Sequence, residues 1–124
     1  MNWTAILIVP AIVAAVFMMK NRGRISAKDA VAHLKNGALV IDVRSAGEFQ
    51  SGHLPNAINI PLDEIEAVLP QRVTDKNRVL LLHCLSGMRS GAAQQKLKGL
   101  GYAQVFNLGA LARAREIVDQ AGSH

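Results

Sequence analysis

Two short apolar runs constrain the fold more than any other feature of the chain. Ala38-Leu39-Val40-Ile41 and Val79-Leu80-Leu81-Leu82 have no polar residue at either phase of a two-residue alternation. A strand with one wet face alternates, and a buried helix needs a longer run, so both segments read as strands covered on both sides. Such strands belong to a mainly parallel sheet whose crossovers are helices. The intervening text supplies those helices. Ser26 and Asp29 resemble a capping box ahead of Ala30, Val31 and Leu34, with Gly37 as the stop. Ser45 and Glu48 form a second box over a short helix that ends near Gly52. Leu62, Ile65, Val68 and Leu69 predict a helix ending before Pro70, and Ala92, Ala93, Leu97 and Leu100 stripe another, closed by Gly99 and Gly101. Weaker strands fall at Ala57-Ile58-Asn59-Ile60 and Gln104-Val105-Phe106, and a last helix spans Ala112 to Val118. The expected architecture is α/β, a mainly parallel five-stranded sheet flanked by helices. Gly99 and Gly101 follow a helix, not a strand, which argues for capping against a dinucleotide loop.

The 124 residues suffice for one domain, and their apolar residues are unevenly spread. Trp3 to Met19 contains no charged residue in 17 positions, the short end of a membrane-spanning helix. Pro10 is tolerable in such a span, and Trp3 suits an interface. A signal peptide wants positive charge before the run and small residues after it, whereas Phe17-Met18-Met19-Lys20 follows here. The order favours one uncleaved transmembrane anchor over a signal peptide or a core helix. Lys20, Arg22 and Arg24 then mark the cytoplasmic flank. This divides the chain into residues 1–24, anchor and basic segment, and residues 25–124, the folded domain. The expected location is the cell membrane, single-pass, with the C-terminal domain cytoplasmic. Residues 25–124 hold 11 basic and 9 acidic side chains, a balance with no footprint for nucleic acid. One cysteine excludes an internal disulfide and any multi-cysteine metal cage, and His33 and His124 lack companions at ligand spacing. No metal site and no cofactor are expected.

Ligands bind parallel sheets outside the carboxyl ends of the strands. The strand Val79–Leu82 runs into His83-Cys84-Leu85-Ser86-Gly87-Met88-Arg89-Ser90 and then a helix, so the only cysteine sits on a strand-to-helix turn. Backbone N–H groups of residues 85–89 can converge there, and the helix adds its positive end. Both favour a thiolate. Gly87 permits a positive φ or close backbone approach, Arg89 can clamp an anion or support the loop wall, and Ser90 can cap the helix. An inert buried cysteine is the plain alternative.

Cys84-x-x-Gly87-x-Arg89-Ser90 after an apolar strand resembles the active-site loop of the rhodanese family. Asp42-Val43-Arg44, Glu48-Phe49 and Gly52-His53-Leu54-Pro55-Asn56-Ala57-Ile58-Asn59-Ile60-Pro61 resemble its other signature, in the same order. The likeness covers roughly residues 25–108. It departs at Asn107-Leu108-Gly109-Ala110-Leu111, where the family commonly has paired glycines and then a tryptophan. The resemblance implies a sulfurtransferase in which Cys84 is catalytic and Leu85, Ser86, Gly87, Met88 and Arg89 bind substrate. The implied partners are a small anionic sulfur donor such as thiosulfate, and a cyanide, thiol or protein acceptor. His83 should point away from the sulfur, since consecutive strand side chains alternate. His53 reads as structural, and Arg44 reads as a brace paired with Glu48. Two other function classes compete: a tyrosine-phosphatase-like enzyme, disfavoured because four residues and not five separate Cys84 from Arg89, and a silent interaction module, which usually lacks the cysteine.

Overall fold

The computed structural model describes residues 9–13 and 24–122. Helices α1 (Ala27–Lys35), α2 (Ala46–Ser51), α3 (Ile65–Arg72), α4 (Met88–Gly99) and α5 (Leu111–Ala121) alternate with strands β1 (Leu39–Asp42), β2 (Ile58–Asn59), β3 (Leu80–Cys84) and β4 (Val105–Ala110). The strands form one parallel sheet in the order β2-β1-β3-β4. β3 lies inside it and is buried at all five positions, as its lack of a wet face requires.

Side-chain alternation along β3 divides the core in two. Leu80, Leu82 and Cys84 face a cluster built on Ile65 and Leu69 of α3 and Ala93 and Leu97 of α4. Leu81 faces the other side, with Ala30 of α1 and Ala114 and Ile117 of α5. Both expected N-caps are present, and the full reciprocal box forms at Ser45. Ser26 accepts from Asp29 N, and Ser45 and Glu48 cap each other's backbone.

The sheet has four strands among the described residues, not five. The segment beside β4 makes a single bridge, Arg24 to Asn107, and Ile25 N donates to Asn107 O at 3.1 Å. Ser26 then caps α1 and turns the chain away before pairing extends. A second correction concerns Pro70, which lies inside α3. It sits near the C-terminal end, where its missing N–H frees only one carbonyl. β4 carries a bulge: Leu82 faces Asn107 and His83 faces Gly109, so Leu108 is the extra residue.

The anchor expected at residues 3–19 lies largely outside the described residues. Only 9–13 are described, and they are helical. No described helix is long and apolar enough to cross a membrane.

Candidate active site

The turn from β3 into α4 wraps one sulfur atom. Cys84 is fully buried, and its Sγ receives the N–H of Gly87 at 3.0 Å and that of Ser90 at 3.4 Å, with the Ser90 hydroxyl at 3.5 Å. Burial by itself raises the Cys84 thiol. The hydroxyl and N–H of Ser90 and the N–H groups of Gly87 and Ser86 outweigh it and hold the thiol below its ordinary value. Donors do converge on the sulfur, but from Ser86, Gly87 and Ser90, and Ser90 lies outside the residues 85–89 expected to supply them.

Helix α4 begins at Met88 with Gly87 as its N-cap, so Ser90 stands one turn inside and is not the cap. Its hydroxyl instead has three acceptors in reach: Cys84 Sγ, Gly87 O at 3.1 Å and Asn107 Oδ1 at 2.7 Å. Asn107 then ties the loop to β4, since its Oδ1 also accepts from Gly109 N at 2.8 Å and its Nδ2 donates to Gly87 O at 3.3 Å. Gly87 has φ +97°, and the position a Cβ would take lies 3.2 Å from Gly109 Cα. Both facts require glycine.

The other loop residues divide by exposure. Leu85 (57% exposed) and Met88 (81% exposed) form an apolar rim, and Ser86 bridges Ala110 from an exposed position. Arg89 turns sideways: its Nη1 donates to Glu48 Oε1 at 2.6 Å and its Nη2 to Glu48 Oε2 at 3.0 Å. Those bonds, with the further help of Ser45, hold Glu48 down at about 2. They also raise Arg89, to which negative charge on Cys84 adds. A groove of about 520 Å³ flanks this pair, with Val43, Pro61 and Leu62 in its wall beside Arg89 and Lys96.

Arg44 is therefore not the partner of Glu48. It grips Asp42 through Nε and Nη2 (2.8–3.0 Å) and donates to Gly52 O at 2.7 Å, bracing the end of β1 against the turn that follows α2. His83 is fully buried on the sheet face opposite Cys84, as strand alternation requires, with Nε2 3.8 Å from Asp42 Oδ2 and neither ring nitrogen hydrogen-bonded. His53 stacks on Phe49 at 3.9 Å, and its Nδ1 lies 3.0 Å from Phe49 O. Among the described residues no group of three His, Cys, Asp or Glu side chains is placed to hold a metal ion. Sequence reasoning missed Asn107 and the Glu48–Arg89 pair. Asn107 carried one signal, a polar residue at a buried strand end just where the family text departs.

A Rhodanese-like domain model matches residues 26–110. Thiosulfate sulfurtransferase PspE of Escherichia coli is 41% identical over 71 residues, covering 57% of this chain and 68% of the relative. The match spans 55% of a second curated relative and 25% of a third. Among solved structures, a rhodanese with anions from E. coli superposes with TM-score 0.60 at 38% identity, covering 62% of this chain and 91% of that one. The human single-domain sulfurtransferase TSTD1 superposes with TM-score 0.64 at 29% identity, covering 76% and 96%.

Proposed function

The chain belongs to the rhodanese-like family, and on that premise we propose that it is a sulfurtransferase carrying sulfane sulfur as a persulfide on Cys84. The observation that carries this reading is the buried Sγ with its fan of N–H donors and lowered thiol. In the first step the Cys84 thiolate attacks the outer sulfur of an anionic donor such as thiosulfate. The donor's S–S bond breaks, sulfite leaves with the electron pair, and the enzyme keeps a negatively charged Cys84 persulfide. In the second step cyanide or an acceptor thiolate attacks the outer sulfur of that persulfide, and the Cys84 thiolate returns. Backbone donors fixed before either step stabilise charge on sulfur without reorganisation. Leu85, Ser86, Gly87 and Met88 shape the mouth through which both partners approach. The chain has no second cysteine, so the acceptor is external, a small thiophile or a protein thiol.

The uncharged run of residues 3–19 and the basic residues after it support a single-pass anchor with a cytoplasmic domain. A reporter fused after His124 tests that topology, and activity confined to the extracytoplasmic side reverses it.

Thiosulfate should add one sulfur atom to the full chain, seen by mass spectrometry, and cyanide should remove it. Cys84→Ser should abolish both events, because a hydroxyl is not ionised near neutral pH. Sulfur transfer surviving in Cys84→Ser overturns the mechanism. A wild-type chain that takes no sulfur from thiosulfate or mercaptopyruvate is instead a membrane-tethered carrier or interaction module.

A further inference from the structure

Arg89, the obvious anion clamp, is already occupied at both ends by Glu48. Another pair of guanidinium groups flanks the loop and has no carboxylate partner among the described residues. Arg24, from the segment before α1, and Arg113, from the first turn of α5, meet at Gly109 at the end of β4. The position of a Cβ on Gly109 is 3.7 Å from Arg24 Nε and 3.8 Å from Arg113 Cδ. Arg24 Nη2 reaches further, to 3.4 Å from the corresponding position on Gly87. Gly87 is the residue whose N–H lies 3.0 Å from Cys84 Sγ. Allowing about 2.5 Å across one residue, Nη2 is at most about 9 Å from the sulfur. That distance matches the length of a small anionic donor with its outer sulfur against Sγ and its oxyanion one hydrogen-bond length from Nη2.

Neither arginine is ion-paired among the described residues. Arg113 donates to Leu108 O at 2.7 Å and to Ile25 O, which fixes its position and leaves its charge uncompensated. Arg24 is exposed, and its N–H groups have no partner among the described residues. Burial, and then the charge of Arg24, lower Arg113 from the ordinary arginine value. Two like charges held together without a counter-charge form a site that an anion relieves.

We propose that Arg24, backed by Arg113, binds the oxyanion head of the sulfur donor at the Gly87 edge of the loop. The proposal rests on Cys84 as the sulfur-accepting nucleophile, but its test does not depend on turnover. Cys84 of the full chain is alkylated with iodoacetate, an anion, and with iodoacetamide, its neutral counterpart. In Arg24→Ala the iodoacetate rate should fall roughly three- to tenfold while the iodoacetamide rate, which reads the thiolate and the loop, holds. Arg24→Lys should recover part of the loss, because it restores charge without the fork. With thiosulfate the same variants should raise KM by a similar factor and change kcat less. An unchanged ratio of the two alkylation rates in Arg24→Ala overturns the proposal, and so does an equal fall in both. A wild-type chain that takes no sulfur from thiosulfate or mercaptopyruvate but shows the predicted alkylation ratios refutes the sulfurtransferase reading alone.

Discussion

Replacing Gly87 with alanine probes the loop at its tightest point. An L-residue at φ +97° costs about 1–2 kcal/mol in backbone strain. The new Cβ would meet Gly109 Cα at 3.2 Å and Gly109 C at 3.3 Å, both backbone atoms, which yield less readily than a side chain. Crowding of that kind adds about 1–3 kcal/mol, so Gly87→Ala should lose about 2–5 kcal/mol of stability in chemical denaturation. The shift has a chemical consequence, because the Gly87 N–H is the nearest donor to Cys84 Sγ, at 3.0 Å. Loss of much of a charge-assisted bond worth about 1.5–3 kcal/mol should raise the thiol pKa by about one unit. The pH dependence of iodoacetamide alkylation measures that rise. Gly47→Ala is the control: it lies inside α2 with nothing within 4 Å of the added methyl, and should stabilise by about 0.5–1 kcal/mol. A Gly87→Ala protein matching wild type in both denaturation and alkylation profile would refute the account of the loop.

The pair of Glu48 and Arg89 should show as acid sensitivity. Glu48 titrates at about 2 in the fold against an ordinary 4.5, so its contribution is complete above 4.5 and lost as pH falls toward 2. Thermal unfolding midpoints across that window should fall more steeply for wild type than for Glu48→Gln. His83 acts in a higher window. Its burial, opposed by Asp42 of β1, holds it below the ordinary 6.5, and Arg44, just beyond β1, and Arg115 of α5 add to the lowering. The unfolded chain then binds the extra proton, and stability declines as pH drops below 6.5. His83→Leu should flatten that decline, and a midpoint curve identical to wild type between pH 6.5 and about 5 would remove His83 as its cause.

How much of this was readable in the sequence depended on the range of the interaction concerned. Leu80 to Leu82 announced a strand buried on both faces, because period and burial are local properties. The alternation that put His83 opposite Cys84 is equally local, as are the boxes at Ser26 and Ser45. The failures involve choices among distant partners. Glu48 sits four residues from Arg44, yet Asp42 is nearer along the chain and takes its Nε and Nη2, with Gly52 O sharing Nη2. Arg89 reaches Glu48 from another element. Arg24 and Arg113 meet only because α1 and α5 lie on the same side of the sheet, a fact of topology that no spacing encodes. The expected fifth strand had no apolar run of its own, and the one bridge beside β4, at Arg24, is cut short by the Ser26 cap of α1.

The sulfur's surroundings are drawn from the segment before α1, from β4 and from the turn after β3, joined across a sheet whose neighbours are all parallel. Parallel pairing demands long chain closures, and the pair of β3 with β4 cannot close before β4, the later strand, is present. A chain still emerging from synthesis therefore carries Cys84 as an ordinary thiol, mostly protonated and slow to react. The lowered thiol needs Ser90 and Gly87 held around the sulfur, and Asn107 of β4 holds both. The fold thus acts as a timer, shielding the chain's single thiol from oxidants and stray electrophiles until the structure that can use it exists.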